Sequence, residues 1–63
     1  MKSFKVGEKV TVTENISTID GTLYKDEICL VDGITFIDKD LRLKDNMGKI
    51  WYVMDYQVKR NVI

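Results

Sequence analysis

Apolar and polar side chains alternate along two stretches that meet at a tight turn in LRLKDNMGKIWYV, residues 41 to 53. Asp45-Asn46-Met47-Gly48 places turn formers first and glycine last, the signature of a type I turn whose glycine takes the left-handed conformation. That turn pairs Asp45 with Lys49. Counting outward sets Leu43 opposite Trp51 and Leu41 opposite Val53 on one face, because side chains alternate along a strand. Arg42 with Tyr52 and Lys44 with Ile50 then occupy the other face. The first face is wholly apolar and reads as core; the second interleaves cations with an aromatic and an aliphatic side chain.

The same period of two continues elsewhere. KVTVTE, residues 9 to 14, sets Val10 and Val12 against threonine and charge, a first strand introduced by Gly7. NISTIDGTLYKDE follows as a long, hairpin-like loop whose turn signal is Asp20-Gly21, with Ile16, Leu23 and Tyr24 expected to tether it to the core. EICLVD, residues 27 to 32, predicts a second strand ended by Asp32-Gly33, and ITFIDKD leads into the 41 to 53 hairpin. In MDYQVKRNVI, Asp55-Tyr56-Gln57 predicts a single helical turn before a short last strand carrying Val58. No helical period runs long enough for an independent helix. Five short strands with one long early loop and one tight late hairpin predict an all-β fold, a small closed or nearly closed barrel.

Sixty-three residues hold one domain, near the lower limit at which a hydrophobic core alone sustains folding. Cys29 stands alone and histidine is absent, so neither an internal disulfide nor a Cys/His zinc site supplements that core. Within ICLV the thiol reads as a small buried hydrophobe. No apolar run reaches the length of a membrane span, and MKSFKVGEK lacks the apolar core of a signal peptide, so a cytoplasmic protein is expected. Ten basic residues balance ten acidic ones, leaving no global field for nucleic acid or an anionic membrane. Residues 1 to 41 carry five basic and eight acidic side chains, residues 42 to 63 five and two, which leaves room for a local basic patch.

The succession of strand, long loop, strand, shorter loop, strand, tight hairpin, strand, helical turn and strand resembles the Src-homology-3-like (SH3-like) barrel over almost the whole chain. VGEKVTV, DLRLKD and GKIWYV are similar to segments of small SH3-like proteins of Gram-positive bacteria and their phages. The resemblance implies a five-stranded barrel and speaks of fold rather than activity. The Ala-Leu-Tyr-Asp-Tyr-like run of peptide-binding members is not present in the long loop, which offers Tyr24; Tyr56 matches the aromatic of their helical turn.

Candidate chemistry is sparse. Asp20, Asp26, Glu27, Asp32, Asp38 and Asp40 sit at expected turns and strand ends, where aspartate caps backbone amides, and their spacing does not make a calcium loop. With no histidine and no activated nucleophile, no enzyme, metal or cofactor is expected. Trp51 reads as core. The candidate binding residues are Arg42, Lys44, Ile50 and Tyr52 on the outer face of the hairpin, with Tyr56 beside them. Two function classes compete: a protein-interaction module, such as a phage or mobile-element regulator occupying a larger host protein, and a nucleic-acid-binding barrel using Arg42, Lys44, Lys49, Tyr52, Lys59 and Arg60 with stacking on the tyrosine.

Overall fold

A computed structural model describes residues 4–34 and 39–61, so Asp38 of the acidic set lies outside the described residues. Seven strands and one 3-10 turn follow in chain order: β1 (Lys9–Val12), β2 (Ile16–Thr18), β3 (Gly21–Leu23), β4 (Ile28–Ile34), β5 (Leu41–Lys44), β6 (Ile50–Val53), the turn Asp55–Gln57 and β7 (Val58–Arg60). The fold is all-β. β6-β5-β4-β1-β7 form one antiparallel five-stranded sheet, and β2 and β3 pair separately as a two-stranded sheet. β6 and β7 end the larger sheet without pairing to each other, so among the described residues it is an open sheet; of the closed or nearly closed barrel expected, the closed form is not found.

The core follows from the alternation. Val10 and Val12 of β1, Cys29 and Val31 of β4, Leu41 and Leu43 of β5, Trp51 and Val53 of β6 and Val58 of β7 are buried in one cluster with Phe4, Ile16 and Leu23. Leu43 is opposite Trp51 and Leu41 opposite Val53, as the turn chemistry predicts. The turn itself closes as expected: Gly48 N donates to Asp45 O at 3.0 Å, Asp45 N donates to Lys49 O at 3.0 Å, and Gly48 has φ +82°. The helical turn and the last strand also fall where the sequence places them.

Four further expectations are corrected. The two-residue tip of the early hairpin is Ile19-Asp20 rather than Asp20-Gly21, because Thr18 pairs with Gly21 and Ile16 with Leu23. A tip at Asp20-Gly21 would set Ile16 against Lys25; the observed register buries Ile16 and Leu23 together and leaves Ile19 wholly exposed at the tip. Thr18 holds this arrangement locally, its hydroxyl donating to Gly21 O at 2.9 Å and accepting from Asp20 N at 3.1 Å. Asp32-Gly33 does not end the second strand. β4 continues to Ile34, and its register shifts between Val31 and Gly33, so that Asp32 is the extra residue of a bulge opposite Arg42. Tyr24 does not tether the loop; it is exposed. The first strand also stops at Val12, beyond which Thr13 N donates to Gln57 O at 2.9 Å and ties β1 to the 3-10 turn.

Candidate interaction surface

The outer face of the hairpin is built by register. Lys44 stands opposite Ile50 and Arg42 opposite Tyr52, so four of the five candidate residues share one face, with Tyr52 46% and Ile50 39% exposed. Tyr56 is placed apart from the hairpin, on the 3-10 turn, where its carbonyl accepts a hydrogen bond from Thr13 Oγ1 at 3.4 Å.

Arg42 is held in place. Its Nε donates to Asp32 Oδ2 at 3.0 Å and its Nη2 to Asp32 O at 3.3 Å, contacts made possible by the bulge that turns Asp32 toward β5. A side-chain hydrogen bond with Tyr52, foremost, and the charge of Asp32 after it raise the guanidinium above its ordinary pKa, against the opposing effect of desolvation. Arginine, tyrosine and aspartate thus form one network that fixes the ring of Tyr52 beside a planar cation.

Other cations named for a nucleic-acid face point elsewhere. Lys49 Nζ donates to Asp20 O at 2.6 Å and lies 4.3 Å from the centre of the Trp51 ring, clamping the tip of the β2–β3 hairpin onto β6. Arg60 forms an ion pair with Glu8 and lies 5.2 Å from the centre of the Phe4 ring. Lys44 and Lys59 remain on the outer face, Lys59 through its pairing with Thr11.

Sequence reasoning missed the extension of this face across β4 and β1. Lys9 pairs with Leu30 and Leu30 with Lys44, while Thr11 pairs with Ile28, so the outward row Ile50, Lys44, Leu30, Lys9 crosses four strands. Ile28 is 45% and Leu30 38% exposed, although both flank the buried Cys29 in an apolar run. The available signal was the alternation within ICLV: if Cys29 and Val31 face the core, Ile28 and Leu30 cannot.

The remaining candidate chemistry is structural. Trp51 is buried, and its indole N–H donates to Asp45 Oδ2 at 2.9 Å, while Asp45 Oδ1 accepts from Met47 N at 2.8 Å and Lys49 N at 2.9 Å. The Trp51 bond, chiefly, and the two backbone amides lower the pKa of Asp45 against desolvation. Asp40 Oδ2 accepts from Asp55 N at 3.0 Å, a cap on the 3-10 turn. Among the described residues no group of carboxylates and thiol is arranged to hold a metal ion, and no helix is long and apolar enough to cross a membrane. Burial, chiefly, pushes the Cys29 thiol up to about 11, so it stays protonated and inert at neutral pH. None of the protein-family models, curated proteins or solved structures compared with the chain matches it.

Proposed function

We propose that this chain is a non-enzymatic protein-interaction module of SH3-like arrangement, a regulator that works by occupying a surface of a larger host protein, as phage-borne and mobile-element-borne regulators do. The succession of elements along the chain supports the fold reading. The observation that carries the functional reading is the outer face itself: Ile28, Leu30, Ile50 and Tyr52 stand exposed on neighbouring strands beside Arg42 and Lys44. Folding gains little from aliphatic side chains left in water, whereas an interface gains from a rigid aromatic next to a forked cation and from apolar area around it.

The composition of the face favours protein over nucleic acid. Its centre is aliphatic, and branched side chains offer no stacking platform for bases. Arg42, Lys49 and Arg60 are engaged within the chain, and the whole sequence carries zero formal charge, so the counterion-release contribution to phosphate binding is small.

The test is affinity capture of the tagged chain from lysate of its own host, with and without nuclease, alongside Tyr52→Ala and a distant control, Lys25→Ala. A protein retained after nuclease by the parent and by Lys25→Ala, and lost from Tyr52→Ala, is expected. Retention of the same protein by Tyr52→Ala would move the interface away from Tyr52 and its neighbours on the hairpin, and nuclease-sensitive capture would replace the protein reading with the nucleic-acid one.

A further inference from the structure

Between β1 and β5 the outer face sinks into a shallow depression of about 280 Å³, lined by Lys9, Ile28, Cys29, Leu30, Lys44 and the turn residues Asp45 and Asn46. Leu30 pairs with Lys9 on one side and Lys44 on the other, so the two ammonium groups stem from strands flanking the same exposed leucine. With neighbouring strands about 4.8 Å apart, their backbones are about 10 Å apart across it. No carboxylate lies within ion-pair distance of either lysine among the described residues, where the ion pairs are Arg42 with Asp32 and Arg60 with Glu8. The carboxylate of Asp45 on the rim already accepts three hydrogen bonds, from Met47 N, Lys49 N and Trp51 Nε1.

We propose that this depression receives an acidic segment of a partner protein: one large apolar side chain seated on Ile28 and Leu30, with a carboxylate on either side received by Lys9 and Lys44. The inference rests on the interaction reading above and supplies the chemistry of the partner. The volume falls just below the range of about 300 to 1,000 Å³ typical of small-molecule sites, and suits a single side chain better than a metabolite. An aliphatic floor gives its free energy to an apolar group by removing area from water on both sides. Two cations with no ion-pair partner among the described residues stand beside that floor and add selectivity, because complementary charge favours the matching partner and like charge rejects others. Lys59, on the same face beyond Thr11 and Ile28, extends the positive border.

The experiment is an amide-resolved NMR titration of the full chain with a capped peptide carrying one phenylalanine between two pairs of glutamates. The comparators are the peptide with lysines for the glutamates, the peptide with alanine for the phenylalanine, and an oligothymidylate. Saturable shifts are expected at Lys9, Ile28 to Leu30 and Lys44, with both comparator peptides weaker by roughly tenfold or more and all affinity falling as salt rises. A double variant, Lys9→Glu with Lys44→Glu, should invert the preference toward the lysine peptide while its melting transition remains cooperative. Should that reversal disturb the strands, Lys9→Gln with Lys44→Gln should still weaken the glutamate peptide by roughly tenfold. Absence of saturable shifts at millimolar peptide, shifts confined to another surface, or equal binding of the lysine peptide would overturn the proposal. So would tighter binding of the oligothymidylate at the same amides. If the glutamate peptide fails while capture of a host protein still depends on Tyr52, the interaction reading stands and only the acidic partner falls; if it binds at these amides while Tyr52→Ala captures normally, the depression stands and Tyr52 drops out of the interface.

Discussion

The β5–β6 hairpin and the β2–β3 hairpin make an instructive pair. Both are antiparallel, both place residues in the core, and their tips are joined by the bond from Lys49 Nζ to Asp20 O. The β5–β6 hairpin is specified by its own sequence. Asp45 binds two amides of its turn, Gly48 takes the left-handed conformation, and four residues per strand give a full alternating face. The β2–β3 hairpin has three residues per strand and a turn signal that is off by one. Its register is decided by burial of Ile16 against Leu23 and by the close approach of Gly21 to β6. Local chemistry suffices where turn and alternation agree; where strands are short, tertiary packing selects among registers.

The most severe way to break this contrast is Leu43→Asp. Leu43 is fully buried opposite Trp51, and an unpaired carboxylate there costs several kcal/mol against a total stability on the order of 5 kcal/mol for a domain this small. Loss of the cooperative thermal transition is expected; a melting curve near the parent's would contradict the register.

Gly21→Ala should act next most strongly, and locally. Gly21 has φ +137°, and a Cβ there would lie 3.3 Å from Lys49 Nζ and 3.8 Å from the Trp51 ring. A cost of about 1 to 3 kcal/mol is expected from backbone strain and crowding. Amide exchange should accelerate in β2 and β3 before it does in β5 and β6. Equal acceleration in both would mean that the two hairpins form one cooperative unit rather than a self-specified one and a docked one.

Asp45→Asn sharpens the other half of the contrast. The asparagine keeps one acceptor but turns a donor toward either the amides or the indole N–H, so it cannot serve all three partners. A loss of about 1 kcal/mol at neutral pH is expected. Because bonding to Trp51 and the backbone amides lowers the folded pKa of Asp45, its stabilisation is present above the ordinary value of 3.8 and disappears as pH falls through the folded value. Thermal melts across acidic pH should therefore show the gap between parent and variant closing below pH 3.8; a constant gap would place the effect in packing instead of charge.

The smallest effect on folding belongs to Tyr52→Ala. An exposed cross-strand partner of Arg42 should contribute at most about 1 kcal/mol to stability. At a hot spot the same substitution costs about 2 kcal/mol or more of binding. Melting temperature and partner affinity measured on the same preparation separate the two roles, and a loss of stability larger than the loss of affinity would make the ring a structural member only.

The outer face illustrates how much of the site was legible. Arg42, Lys44, Ile50 and Tyr52 follow from one turn and one alternation, and the structure finds them together. Leu30 and Lys9 are distant from them in sequence, and nothing in ICLV or GEKV says that β4 lies beside β5 and β1 beside β4. The partner of Arg42 was hidden for a related reason: Asp32-Gly33 reads as a strand end, and only the pairing of β4 with β5 converts it into a bulge that aims Asp32 at the guanidinium.

What the sequence by itself determined is whatever depends on near neighbours: the all-β class from period-two alternation, the β5–β6 register from the turn, the 3-10 turn before β7, and the burial of Leu43 and Trp51. Strand order, the one-residue shift of the early hairpin, the bulge at Asp32 and the assignment of Lys49 and Arg60 to intramolecular partners were decided only by tertiary structure. Each depends on which distant segments come into contact. A short strand accepts several registers locally at similar free energy, so the choice falls to whichever one buries apolar surface and satisfies polar groups across the whole chain.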